Sequence, residues 1–129
     1  MREKKDTSQK KAELIAQAAY DKKAHDIVIM NMSNLSVVCD YFVIASAEST
    51  TKVRAIADNI EEVLGKKKYR LLHLEGYSEA HWVVLDFADA VAHIFYSPVR
   101  SFYDLERLWG DAVITRYRPR QIRRAKTKK

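Results

Sequence analysis

Asp86, Asp89 and His93 fall within one short run, HWVVLDFADAVAHIF (81–95), set among Trp82, Phe87 and Phe95. A carboxylate and an imidazole at this separation on two strands could exchange a proton, and period-two alternation puts Trp82, Val84 and Asp86 on one face. Acids set among strands more often hold structure or a partner than do chemistry. His73 and His81 add further nitrogen ligands, but their spacing matches neither H-E-x-x-H nor a cysteine pair, so no metal or other cofactor is expected. Three glycines, Gly65, Gly76 and Gly110, are too few for a phosphate-cradling loop, and no nucleophile-elbow motif accompanies any serine. Cys39 stands alone and reads as a packing residue in a reducing compartment. No catalytic residue is assigned.

The aromatic residues point elsewhere. Trp82, Phe87, Phe95, Tyr96, Phe102, Tyr103 and Trp109 crowd into one segment, with Asp104 and Glu106 beside Tyr103. Alternation must leave some of these rings at the surface among carboxylates, a composition suited to gripping a basic protein. Whether Trp82 and Trp109 belong to that surface or to the core is left open by spacing alone.

These residues need a scaffold. Trp82–Phe87 and Ala90–Tyr96 are strand-length apolar runs joined by a tight turn, hence a β-hairpin. Ser97-Pro98 ends the second strand and opens a helix carrying Phe102, Leu105, Leu108 and Trp109. Upstream, residues before Thr7 are expected to lack structure, and Ser8 caps a helix to about Lys23. Asp26–Met32 and Tyr41–Ala47 read as neighbouring antiparallel strands, the second buried on both faces. A helix follows from Ser49 or Thr50 to about Lys67 with an apolar stripe of Val53, Ile56, Ala57, Ile60, Val63 and Leu64, closing near Gly65. Arg70–Leu74 makes a third strand before the Gly76 turn. The order α-β-β-α-β-β-β-α predicts an α/β fold of the α+β type, a mixed sheet of about five strands flanked by helices.

Charge divides the chain. From Ala112 onward there are eight basic residues and no acid; the first eleven residues hold five basic and two acidic. Ten basic and fifteen acidic residues remain in the body, so an acidic domain carries basic ends. The 129 residues suit one domain: residues 1–11 as a disordered start, 12–112 as the folded body and 113–129 as a flexible basic tail. Such a tail either keeps the chain soluble or meets polyanions by releasing their counterions, through Arg116, Arg118, Arg120, Arg123 and Arg124. No apolar run approaches the roughly 20 residues of a membrane helix and no secretory signal opens the chain, so a cytoplasmic location without membrane contact is expected.

Three separated segments, CDYFVIASAESTTKVRAIADNIEE (Cys39–Glu62), EGY followed by HWVVLDFADAVAHIF (Glu75–Phe95), and FYDLERLWGDA (Phe102–Ala112), resemble the ribosomal silencing factor family, also called RsfS or Iojap-like. The resemblance covers about Ala12–Ala112. It implies a nucleotidyltransferase-like fold without the reaction: Ala45-Ser46-Ala47-Glu48-Ser49 replaces a Gly-Ser phosphate loop, and no paired aspartates stand ready for magnesium. It implies a translation repressor that binds the large ribosomal subunit through large-subunit protein fourteen and blocks joining of the small subunit. A role in ribosome biogenesis and a homodimer when free go with it, and beside that docking site Arg116, Arg118, Arg120, Arg123 and Arg124 of the basic end become the candidate rRNA contacts. The partner-binding residues are then expected to be Trp82, Asp86, Asp89, His93, Tyr103, Asp104 and Glu106. A degenerate nucleotidyltransferase working through Asp86 and Asp89, or a general RNA-binding module, are the alternative readings.

Overall fold

A computed structural model describes residues 2–35, 39–108, 110 and 112–119, with the side chains of residues 2–6 and Phe102 left aside. The elements are α1 (Arg2–Asp21), β1 (His25–Asn31), β2 (Tyr41–Ala47), α2 (Thr50–Lys66), β3 (His73–Glu75), β4 (Trp82–Asp86), β5 (Ala90–Tyr96), α3 (Ser97–Tyr103), α4 (Leu105–Leu108) and β6 (Val113–Arg116). The strands form one mixed sheet in the order β3-β4-β5-β2-β1-β6. Only β2 and β5 run parallel; the other neighbours are antiparallel.

Both long helices cover one side of the sheet, because their apolar stripes and the matching strand residues point there. Ala12, Ile15, Ala16 and Ala19 of α1 pack with Val53, Ile56, Ile60 and Leu64 of α2 over Val43, Ala45, Val83, Leu85, Ala92 and Ile94. The small residues of α1 let the helices approach closely, and Asn59 donates to the carbonyl of Ala18 at 2.9 Å. Ser49 caps α2 as expected, its hydroxyl accepting from the amide of Lys52. The opposite side of the sheet carries a smaller core: Val28, Met30, Ile44 and Phe95 under Leu105. Helices α3 and α4 cover only part of that side. Strand β2 is buried on both faces over most of its length, as its unbroken apolar run requires.

Several sequence expectations change. Helix α1 begins at Arg2, so Ser8 lies within it and is fully buried rather than capping it. Gly65 sits inside α2; the helix closes instead around Lys68 at φ 68°, where the amides of Lys68 and Tyr69 return to Gly65 and Leu64. The helix expected after Pro98 is split in two, because Asp104 adopts the left-handed conformation at φ 45°. The third strand is the short His73–Glu75 rather than Arg70–Leu74. A sixth strand, β6, pairs with β1 where a tail was expected, with Val113 opposite Asn31 and Arg116 opposite Val28. Its four residues are all exposed, so no apolar pattern announced it. Trp109, Arg120, Arg123, Arg124 and the rest of the basic end lie outside the described residues. No helix among the described residues is long and apolar enough to cross a membrane.

Candidate functional site

The hairpin β4–β5 holds the site. Its turn is tight: the amide of Phe87 donates to the carbonyl of Ala90 at 2.9 Å, and Ala88 takes φ 79°. Asp86 stabilises that turn by accepting from the amide of Ala88 at 2.8 Å, and its other oxygen lies 3.4 Å from Nδ1 of His73 on β3. The register then places Trp82 opposite Phe95, Val84 opposite His93 and Asp86 opposite Val91. On the next strand Phe42 stands opposite Val91. All these side chains project to the side that α1 and α2 leave free.

There the rings form a connected layer. Trp82 lies 4.5 Å from Tyr103, 5.1 Å from Phe95 and 5.9 Å from His93 between ring centroids. Phe42 meets His93 edge-on at 4.5 Å. Trp82, Phe42, Val84 and Val91 are half-exposed and Tyr103 is 45 % exposed, while Phe95 is fully buried beneath them. His93 is buried too. Its Nδ1 accepts from the indole of Trp82 at 3.1 Å, and its Nε2 has no partner among the described residues. Burial pushes its pKa down to about 4, so it is neutral at physiological pH.

The seven residues expected to bind a partner therefore separate. Trp82, Asp86, His93 and Tyr103 share this face, His93 as its support. Asp89 does not join them: its carboxylate turns to the helix side and meets Lys11 of α1 at 2.8 Å, while Lys11 also donates to the carbonyl of Phe87. Glu106 pairs with Arg100 at 2.7 Å, and Arg100 also donates to Ser46 at 2.8 Å, which ties α4 to α3 and β2. Asp104 is the hinge between the two short helices, its carbonyl accepting from Arg107 and Leu108. Asp86 and His93 share no hydrogen bond, so the acid–base pairing has no geometry here. Cys39 is buried, its thiol pushed up to about 11 mainly by desolvation and by Asp40. No group of three or more His, Cys, Asp or Glu among the described residues is arranged to hold a metal.

Sequence reading placed Val84 with Trp82 and Asp86 but missed Phe42, Val91 and His73 as members of the face. Part of the signal was present as alternation, which puts Val91, His93 and Phe95 on one face of their strand, but only the sheet order and register bring Phe42 of β2 beside Val91.

The chain matches the family described as "Ribosomal silencing factor during starvation" over residues 5–129, a reach that includes the basic C-terminal end and all but the first four residues. It is 42 % identical over 99 residues to ribosomal silencing factor RsfS of Bacillus subtilis, covering 77 % of this chain and 84 % of that protein. It is 39 % identical over 106 residues to the RsfS of Halalkalibacterium halodurans, covering 82 % and 91 %. A crystal structure of a protein from Chromobacterium violaceum superposes with a TM-score of 0.78 at 30 % identity, covering 80 % of this chain and 86 % of that one. The sheet, the helices on one side and the hairpin are thus a shared architecture, and by family match and identity this chain belongs to the ribosomal silencing factor (RsfS) family.

Proposed function

We propose that this protein represses translation by docking on the large ribosomal subunit, at large-subunit protein fourteen, and excluding the small subunit from that surface. The observation that carries the reading is the half-exposed layer of Trp82, Tyr103 and Phe42 beside the carboxylate of Asp86, mounted on a rigid sheet. Large rings on fixed strands give contact area at little entropic cost, the usual make-up of the residues that dominate an interface. Glu75 on exposed β3 adds a second carboxylate opposite Val84, and negative charge suits a basic ribosomal protein. A standard interface needs roughly 800 Å² from each partner, within reach of three strands and two short helices.

The docking set on this reading is Trp82, Asp86, Tyr103 and Phe42, with His93 holding Trp82. Asp89, Asp104 and Glu106 act by holding the hairpin and short helices in place. The protein works by occupancy and turns nothing over, from the cytoplasm, and the same apolar face supports self-association when no ribosome is bound.

Sedimentation of purified subunits tests this. Added in excess, the protein reduces the joined ribosome peak and co-migrates with the large subunit. Trp82→Ala with Asp86→Lys, folded by circular dichroism, loses both effects; unchanged co-migration of that variant places the interface on another surface.

A further inference from the structure

A second surface lies on the other side of the sheet. A groove of about 890 Å³ runs there, with exposed Lys10, Lys67 and Arg118 on its walls and half-buried Tyr69 and Tyr117 between them. Ile29, at its floor, packs with the core under α1 and α2, whereas Trp82 and Phe42 pack with the opposite core. The two surfaces therefore face away from each other. Glu13 is the single carboxylate in the groove. Arg116, opposite Val28 of the other core, lies 3.6 Å from Asp26 and is no part of this set; among the described residues Lys10, Lys67 and Arg118 have no ion-pair partner. Tyr117 is held by its hydroxyl to Gln17 and tilts against Tyr20 at 6.4 Å, so its ring is fixed rather than free to collapse onto the cations.

We propose that this groove binds single-stranded RNA, with phosphates on Lys10, Lys67 and Arg118 and bases against Tyr69 and Tyr117. Cations flanking fixed rings are the combination that single-stranded nucleic acid requires, charge for the backbone and a flat face for the bases. An acidic peptide would use the cations and leave the rings idle. The sequence beyond Pro119 carries Arg120, Arg123, Arg124, Lys126, Lys128 and Lys129 with no acid, so further positive charge is tethered to Arg118. The assignment does not depend on the docking face, and its test needs no ribosome.

The experiment is fluorescence anisotropy of a labelled oligouridine of about 12 nucleotides with the full chain across a salt series. The wild type binds, and Lys10→Glu/Lys67→Glu/Arg118→Glu weakens binding at least tenfold. Each phosphate contact contributes about 0.7 to the logarithmic salt slope, so losing three flattens it by about 2. Lys10→Gln/Lys67→Gln, confined to the surface of α1 and the end of α2 and leaving β6 intact, flattens it by about 1.4. Trp82→Ala binds RNA as the wild type does. Wild-type affinity in both groove variants would return the binding to the basic end alone, and absence of binding by the wild type would overturn the assignment outright. Displacement by oligoglutamate as effective as by unlabelled oligouridine would give the groove to acidic peptides instead.

Discussion

The indole N–H of Trp82 donates to Nδ1 of His93 at 3.1 Å, diagonally across β4 and β5, and so decides which nitrogen of His93 carries its proton. An imidazole that accepts at Nδ1 must hold its hydrogen at Nε2. The exposed ring and the buried ring are thereby one unit, with Trp82 oriented from below by His93 and from the side by Tyr103.

Trp82→Phe separates orientation from ring area. Phenylalanine keeps the contacts with Tyr103 and Phe95 but leaves buried His93 without its donor, at a cost of about 1–3 kcal/mol in urea denaturation. Large-subunit docking should weaken less in this variant than in Trp82→Ala. Equal loss in the two would mean that the bond to His93, rather than the ring surface, governs docking.

The same histidine makes stability depend on pH. Its folded pKa of about 4 lies below the ordinary value of 6.5, so the unfolded chain binds the proton more readily between those limits. The contribution of neutral His93 is complete above about pH 6.5 and is lost as pH falls toward 4, on the order of 3 kcal/mol in all. Unfolding free energies measured at pH 7, 5 and 4 should fall accordingly, and His93→Leu should fall less steeply. Parallel pH dependence in the variant would assign the effect to other groups.

Asp89 gives a control for the face. It lies in the hairpin turn yet anchors α1 through Lys11, a pair whose side chains are only 12 % and 16 % exposed. Asp89→Ala leaves the Lys11 ammonium without its carboxylate and should cost about 1–3 kcal/mol. The folded variant should still co-sediment with large subunits like the wild type. Loss of docking at full foldedness would put Asp89 in the interface after all.

Two backbone positions beside the hairpin should respond in opposite directions. Gly76 has φ 79°, and a Cβ there would lie 2.2 Å from the carbonyl oxygen of Trp82. Gly76→Ala should therefore destabilise by at least about 2 kcal/mol and disturb Trp82. Ala88 already carries a Cβ at φ 79° in the turn, a conformation that costs a non-glycine residue about 1 kcal/mol. Ala88→Gly relieves it, and the gain, less the added chain entropy, should appear as a small rise in melting temperature. A fall would show that the turn depends on a methyl contact.

Much of this molecule was legible without coordinates. The apolar stripe from Val53 to Leu64, a cap at Ser49 or Thr50, the hairpin and the doubly buried run Tyr41–Ala47 all rest on local periodicity or local chemistry, which a chain carries in its own order, while the three family segments rest on resemblance. Alternation also placed Trp82, Val84 and Asp86 on one side of their strand. What periodicity cannot supply is which strands become neighbours. The central position of β2, parallel to β5, brings Phe42 beside Val91 and His93, and nothing within either segment specifies that meeting. The same holds for charge. Asp89 and Asp86 look alike in sequence, but the turn sends one carboxylate to Lys11, seventy-eight residues away, and leaves the other near the open face. Strand β6 escaped notice because an edge strand with every residue exposed has no buried side to impose a pattern. Local order determined the elements; long-range pairing alone decided which residues share a surface, because contact depends on sheet order and turn geometry rather than on distance along the chain.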